Sequence, residues 1–250
     1  MTALSAVAVV LGALALLIGG RWALVLLSAG LFSLLAAFAV GLNAEWLAGL
    51  DTSVADWFVA HRSAQWRVDA DGAFGAFGRP GYVASVALIG GALLSLRARS
   101  AVPAVLVVGS VGVGVVVEQM LKMAVRRAST TVAELQGLRL DDYEHTFPSG
   151  HVTGSAALLG MLAVCVGAGC SRAAKAALAV LAAAGVLFVA FLALYTKAHT
   201  FTDVIGGMIL GGAIVSLGAA ILGEFTPKDH RVRESQVRPP SQRMAGRVPV

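Results

Sequence analysis

Charge is scarce in this sequence. Only 13% of the 250 residues are Asp, Glu, Lys or Arg, against 58% hydrophobic, a balance that excludes an ordinary soluble domain. Cysteine is scarcer still. Cys165 and Cys170 suggest neither a disulfide framework nor a metal site, and both are read as packing residues. No Lys or Arg precedes Arg21. The first apolar run therefore lacks the basic n-region of a secretory signal and is expected to stay as a membrane helix. Neither an internal repeat nor a second soluble domain is evident.

What the sequence does have is long apolar runs: Thr2–Gly19, Trp22–Leu42, Tyr82–Leu96, Ala101–Val125, Gly150–Gly169, Ala176–Tyr195 and Val204–Gly223. Crossing a bilayer takes roughly 18–20 apolar residues, so six or seven spans are expected, the third run being short. The fold class is all-α, a polytopic transmembrane helix bundle. Under the seven-span reading, Arg21, Arg97, Arg99, Arg172, Lys175, Lys228, Arg231, Arg233, Arg238, Arg243 and Arg247 fall on one side. That side then holds eleven of nineteen basic residues but three of fourteen acids, Glu224, Asp229 and Glu234. It should be the cytoplasm. Segments 43–80, 126–147 and 197–202 then face outward. The Pro- and Arg-rich tail, 226–250, is expected to be disordered and drawn to anionic headgroups.

The outward segment 43–80 reads differently from the spans. Leu47, Leu50, Val54, Trp57 and Phe58 recur at helical spacing, and Trp46, Trp57 and Trp66 are rings that favour an interface. Amphipathic helices on the outer leaflet account for it, as an anchor or as a rim over which a lipid enters. In the last span, Gly207 and Gly211 stand four apart and permit close helix packing.

Ionisable groups at membrane depth are costly, so each calls for a reason. Glu118 and Lys122 are four apart, which fits a structural ion pair. Lys122, Arg126 and Arg127 also form a basic cluster on the outer side, against the orientation rule, which suggests a retained anion site. Pro148, Ser149, Gly150 and His151 open the next span. A helix start of small residues offers backbone N–H groups and the positive dipole end to a phosphate. In "YTKAHTFTDVIGG", His199 stands four before Asp203, a spacing that lets the carboxylate hold the imidazole in one tautomer. Two histidines, a basic cluster and a helix N-terminus on one membrane face suggest phosphoryl transfer.

These residues resemble the type-2 phosphatidic acid phosphatase superfamily of membrane lipid phosphatases, from about Leu50 to Phe225. Its second motif, Pro-Ser-Gly-His, is intact at Pro148–His151. Its third keeps His199 and Asp203, with Tyr195, Gly206 and Gly207 as usual companions, and its first keeps Lys122. The resemblance implies a six-helix core in 21–225, so that 1–20 would be an extra N-terminal helix. It implies that His199 attacks phosphorus, Asp203 orients it, and His151 protonates the leaving alkoxide and then activates water. Lys122, Arg127 and the N–H groups around Ser149 and Gly150 would hold the phosphate. The family needs no metal or other cofactor. The implied substrate is a lipid phosphate at the outer surface of the cell membrane: a polyprenyl phosphate or diphosphate, a phosphatidate-type lipid or a prenyl-linked sugar phosphate. No nucleic-acid partner is implied.

Two family arginines are absent. Counting from Lys122, the Arg-Pro pair falls on Ser129 and Thr130, and the third motif's Ser-Arg falls on Leu192 and Ala193. Arg126, Arg139 and Lys197 are the cations placed to compensate, although an ammonium does not reproduce a guanidinium fork. Two other readings stay open. One is a metal site built from His145, His151, His199 and Asp203; the other is a lipid-phosphate binder that has kept the fold without the catalysis. A transporter fits less well, since few ionisable groups lie mid-span.

Overall fold

A computed structural model describes residues 2–78, 80–127, 137 and 144–225. Ser129, Thr130, Arg139 and the tail 226–250 lie outside them. Among the described residues there are nine helices and no strand: α1 (Thr2–Ile18), α2 (Gly20–Gly41), α3 (Glu45–His61), α4 (Ala64–Gly78), α5 (Pro80–Ala98), α6 (Val102–Ala124), α7 (Gly150–Gly167), α8 (Arg172–Tyr195) and α9 (Phe201–Phe225). Six of them, α2 and α5 to α9, are long and apolar enough to cross a membrane. Their outer faces carry exposed Val105, Val116, Leu181 and Leu187, side chains that only lipid would solvate well. The protein is an integral membrane protein.

Helix α1 has 17 residues, about 25 Å at 1.5 Å per residue. That falls short of the roughly 30 Å hydrocarbon core. It packs along α2, joined through Gly19 and Gly20, both at positive φ, where a side chain would be strained.

Helix α9 is the most enclosed of the six spans, lying against α2, α6 and α7. Leu35 of α2 and Leu42, its C-cap, meet Phe147, Leu210 and Ile214 in one core cluster, and Val83, Val107, Leu158 and Met161 tie α5, α6 and α7 in another. A third joins α7, α8 and α9 through Val152, Val189, Ala193 and Val204. Below it α8 and α9 part, leaving an apolar groove of about 770 Å³ beside Ala156, Gly160, Ala183, Met208 and Val215.

The two ends of the bundle are distinct. Arg21 pairs with Glu224, bringing the start of α2 to the end of α9. At the opposite end α3 and α4 lie across the helix termini. Leu47 and Phe58 are buried, whereas Trp46, Trp57 and Trp66 stay exposed as an interfacial helix pair requires. At the corner between these helices, Arg62 donates from Nε to the Tyr195 carbonyl (2.6 Å) and from Nη2 to that of Leu194 (3.2 Å). These are last-turn carbonyls of α8, beyond which no i+4 helical amide follows. Burial lowers the Arg62 pKa somewhat.

Candidate active site

His151, His199, Asp203, Lys122, Arg126, Arg127, Ser149, Gly150 and Lys197 all fall at that second end, on α6, α7, α9 and the segments joining them. Backbone chemistry places the first of them. Ser149 is the N-cap of α7, its hydroxyl accepting from the Val152 amide, and its carbonyl takes the Thr153 amide at 2.9 Å. His151 therefore stands in the first turn. Its ring is stacked on Phe74 of α4, with centroids 4.3 Å apart.

The start of α9 is a capping box. Thr200 Oγ1 accepts the Asp203 amide (3.3 Å) and Asp203 Oδ2 accepts the Thr200 amide (3.0 Å). His199 directly precedes the box, with Nδ1 3.6 Å from Asp203 Oδ2. The rings of His151 and His199 meet edge to face, their centroids 5.9 Å apart.

Lys197 closes α8. Its amide donates to the Leu194 carbonyl and that of Ala198 to Ala193, the paired bonds of a Schellman ending. Lys197 itself has φ 64°, where glycine is the usual occupant and a side chain costs about 1 kcal/mol. Lys197→Gly should therefore raise the unfolding temperature by a few degrees, as relief of about 1 kcal/mol does, while weakening phosphate-ester turnover. Thermal unfolding and KM measured on one preparation check both halves.

Two expectations change. Arg127 was expected to grip phosphate, yet its side chain is 3% exposed and turned into the protein. Nη1 donates to Asp203 Oδ1 and to Thr200 Oγ1 (2.9 Å); Nη2 donates to Asp51 Oδ2 and to Thr202 Oγ1 (2.7 Å). With a carboxylate on each terminal nitrogen, it braces the base of the site. Ser149 is fully buried, and its amide is already donated to the Asp203 carbonyl at 2.9 Å. That bond stitches α7 to α9 and leaves Gly150 and His151 as the first-turn donors.

Of the remaining cations, Arg126 is 73% exposed and 3.8 Å from Glu144. Lys122 is partly buried, 2.6 Å from Glu118. Leu192 and Ala193, at the places of the missing Ser-Arg pair, are buried in α8. His145 is exposed, its Nδ1 against the Lys122 carbonyl (2.9 Å). Among the described residues no three His, Cys, Asp or Glu side chains form a group that could hold a metal ion.

Asp51 is the residue that sequence reasoning missed. It lies on α3, its side chain fully buried, accepting the Thr202 amide (2.8 Å) and hydroxyl (2.7 Å) as well as Arg127. Burial raises its pKa above the usual carboxylate value, against the pull of Arg127 and Thr202. A signal was present: Asp51 falls on the stripe of Leu47, Val54 and Phe58, an acid where the periodicity calls for an apolar residue. Phe74, the ring beneath His151, carried no such mark.

Comparison with known proteins converges with this geometry. The sequence profile of the PAP2 superfamily matches residues 103–226, which hold Lys122, His151, His199 and Asp203. The chain belongs to the PAP2 superfamily. Its fold is similar to the crystal structure of a transmembrane PAP2-type phosphatidylglycerolphosphate phosphatase from Bacillus subtilis. The TM-score is 0.61 and the identity 17%, over 84% of this chain and 97% of that one. No curated protein matches. The superfamily region starts at α6, so Asp51 and Phe74 reach the PAP2 site from outside it.

Gly207, a companion of the family's third motif, is where α9 meets the start of α7. A Cβ there would lie 2.7 Å from the Ser149 carbonyl oxygen and 3.1 Å from Val152 Cβ. Backbone atoms cannot step aside as a flexible side chain can. Gly207→Ala should push the two histidines apart and lower turnover by about 100-fold, the scale of a 1 Å misplacement. Gly223→Ala, where a Cβ meets open space, should leave it unchanged.

Proposed function

We propose that this chain is a metal-independent phosphatase that removes the phosphate of a membrane lipid through a phosphohistidine intermediate. The observation that carries the reading is the pair His151 and His199, 5.9 Å apart between ring centroids, with Asp203 3.6 Å behind His199. Attack needs about 3–3.5 Å between nitrogen and phosphorus, and a general acid about 2.6–3.2 Å from the leaving oxygen. Both rings stand at the same end of the bundle, within reach of one phosphate group. His199 attacks phosphorus, its other nitrogen held towards Asp203. His151 donates a proton to the departing alkoxide, and the same nitrogen then takes a proton from the water that frees phosphate and restores His199. Lys122, Lys197 and the Gly150 and His151 amides stabilise the charge on the phosphoryl oxygens.

The substrate is an amphiphile: a polyprenyl phosphate or diphosphate, a phosphatidate-type lipid or a prenyl-linked sugar phosphate. Exposed Trp46, Trp57 and Trp66 on the helices over the site support a headgroup-level entrance. The excess of basic residues at the Arg21–Glu224 end supports placing that end in the cytoplasm and the histidines on the outer face of the cell membrane.

Phosphate release by the detergent-purified chain, with chelator present, tests the reading across that panel of lipids. Rapid quenching of labelled substrate should trap protein-bound phosphate that is labile in acid and stable in alkali, as phosphohistidine is. Turnover that stops with the chelator would remove the proposal. The buried Leu192 and Ala193, in place of a cation, favour a second reading: a lipid-phosphate binder of the same fold. It predicts lipid binding unchanged by His199→Ala, with no phosphate released by either form.

A further inference from the structure

Glu118 has no part in that scheme, yet it is buried among its components. It lies on α6 with its side chain 8% exposed and an oxygen 2.6 Å from Lys122 Nζ. It also presses on the start of α7: a Cβ on Gly150 would stand 2.6 Å from the Glu118 carboxyl carbon. A surface Glu–Lys pair one helical turn apart would face water and contribute little. This one is turned inward, onto a helix N-terminus whose dipole attracts anions.

We propose that Glu118 is a resident counter-anion. It occupies the seat of a substrate phosphate between Lys122 and the first turn of α7, and it gives way when a phosphate binds. The proposal rests on the phosphatase reading above and narrows it. Among the described residues of the site Glu118 neutralises Lys122, and Asp51 and Asp203 outweigh Arg127 by one charge. A seat so poor in net positive charge suits a lipid with a single phosphate better than a diphosphate. It also holds free inorganic phosphate weakly, which favours product release.

The test is equilibrium binding of orthophosphate and of pyrophosphate to the full-length protein in detergent, which requires no turnover. Glu118→Gln should tighten orthophosphate binding about 10-fold or more, as removal of a like charge about 4 Å from an anion predicts. Pyrophosphate should gain by a larger factor, and Glu118→Gln combined with Lys122→Ala should lose the gain. Glu118→Asp, which keeps the charge but draws it back from Gly150, gives an intermediate gain and serves should the glutamine variant not fold. Binding that is unchanged or weaker in the folded variants, or equal gains for the two anions, would overturn the proposal. Turnover of wild type and His199→Ala is measured separately, so failure of the phosphatase reading is seen apart from failure of the counter-anion.

Discussion

Replacing His199 with alanine should stop phosphate release, lowering kcat by at least about 10,000-fold, the scale on which enzymes lose activity with their nucleophile. The loss should be the same whatever the leaving group, because no phosphoenzyme forms. His151→Ala should behave differently. On an alkyl phosphate it should cost about 100- to 10,000-fold, the usual worth of a general acid. On p-nitrophenyl phosphate, whose phenolate departs without a proton, the loss should be far smaller. Comparing the two substrates in the two variants separates nucleophile from acid. A His199→Ala protein that still turns over lipid phosphate would end the assignment. This contrast tests which of the two rings does what.

Arg127→Ala should be the most destabilising single change in the described part of the chain. Asp51 and Asp203 both have fully buried side chains, and the guanidinium is their shared counter-charge. Removing one partner of a buried ionic group costs about 3–5 kcal/mol, because the charge left behind has neither water nor a partner. Total stabilities run to about 5–15 kcal/mol, so a loss of that size is a large fraction. Asp51, whose pKa burial already raises, would lose the charge that opposes burial and hold its proton more tightly still. Arg127→Lys should rescue little, since one ammonium cannot make the forked contacts that reach both acids and both threonines. Pairing Arg127→Met with Asp51→Asn should recover part of the stability, because fewer unpaired charges remain buried. Thermal unfolding in detergent reads all four proteins. An Arg127→Ala protein that unfolds at the wild-type temperature would show that the network bears no structural weight.

The spans and part of the site were legible in the sequence for different reasons. Lipid leaves a chain little choice: a span needs about 20 apolar residues with every backbone group bonded internally. The six long helices accordingly follow the apolar runs within a few residues, and the short third run is completed by Pro80 and Ala98 at its ends. The first run differs because Gly19 and Gly20 turn the chain before it reaches full length. His151, His199 and Asp203 were readable as candidates because their spacing is local, set within one turn of a helix start. What could not be read was long-range. Asp51 finds Arg127 across 76 residues and Thr202 across 151, and no periodicity links those positions. Arg127 was visible as a cation but not as one already claimed. The Ser149 amide looked open until the Asp203 carbonyl was placed against it.

That bond, together with the bare Gly207 beneath it, fixes a clearance. The spacing of the two histidine rings follows the thickness of the joint between two helices, since His199 stands directly before the α9 capping box, as a gauge block sets the opening of a jaw. The protein can therefore vary widely on its lipid-facing sides without altering that spacing. A single methyl group in the joint is different, because it enters directly into the distance between the two rings.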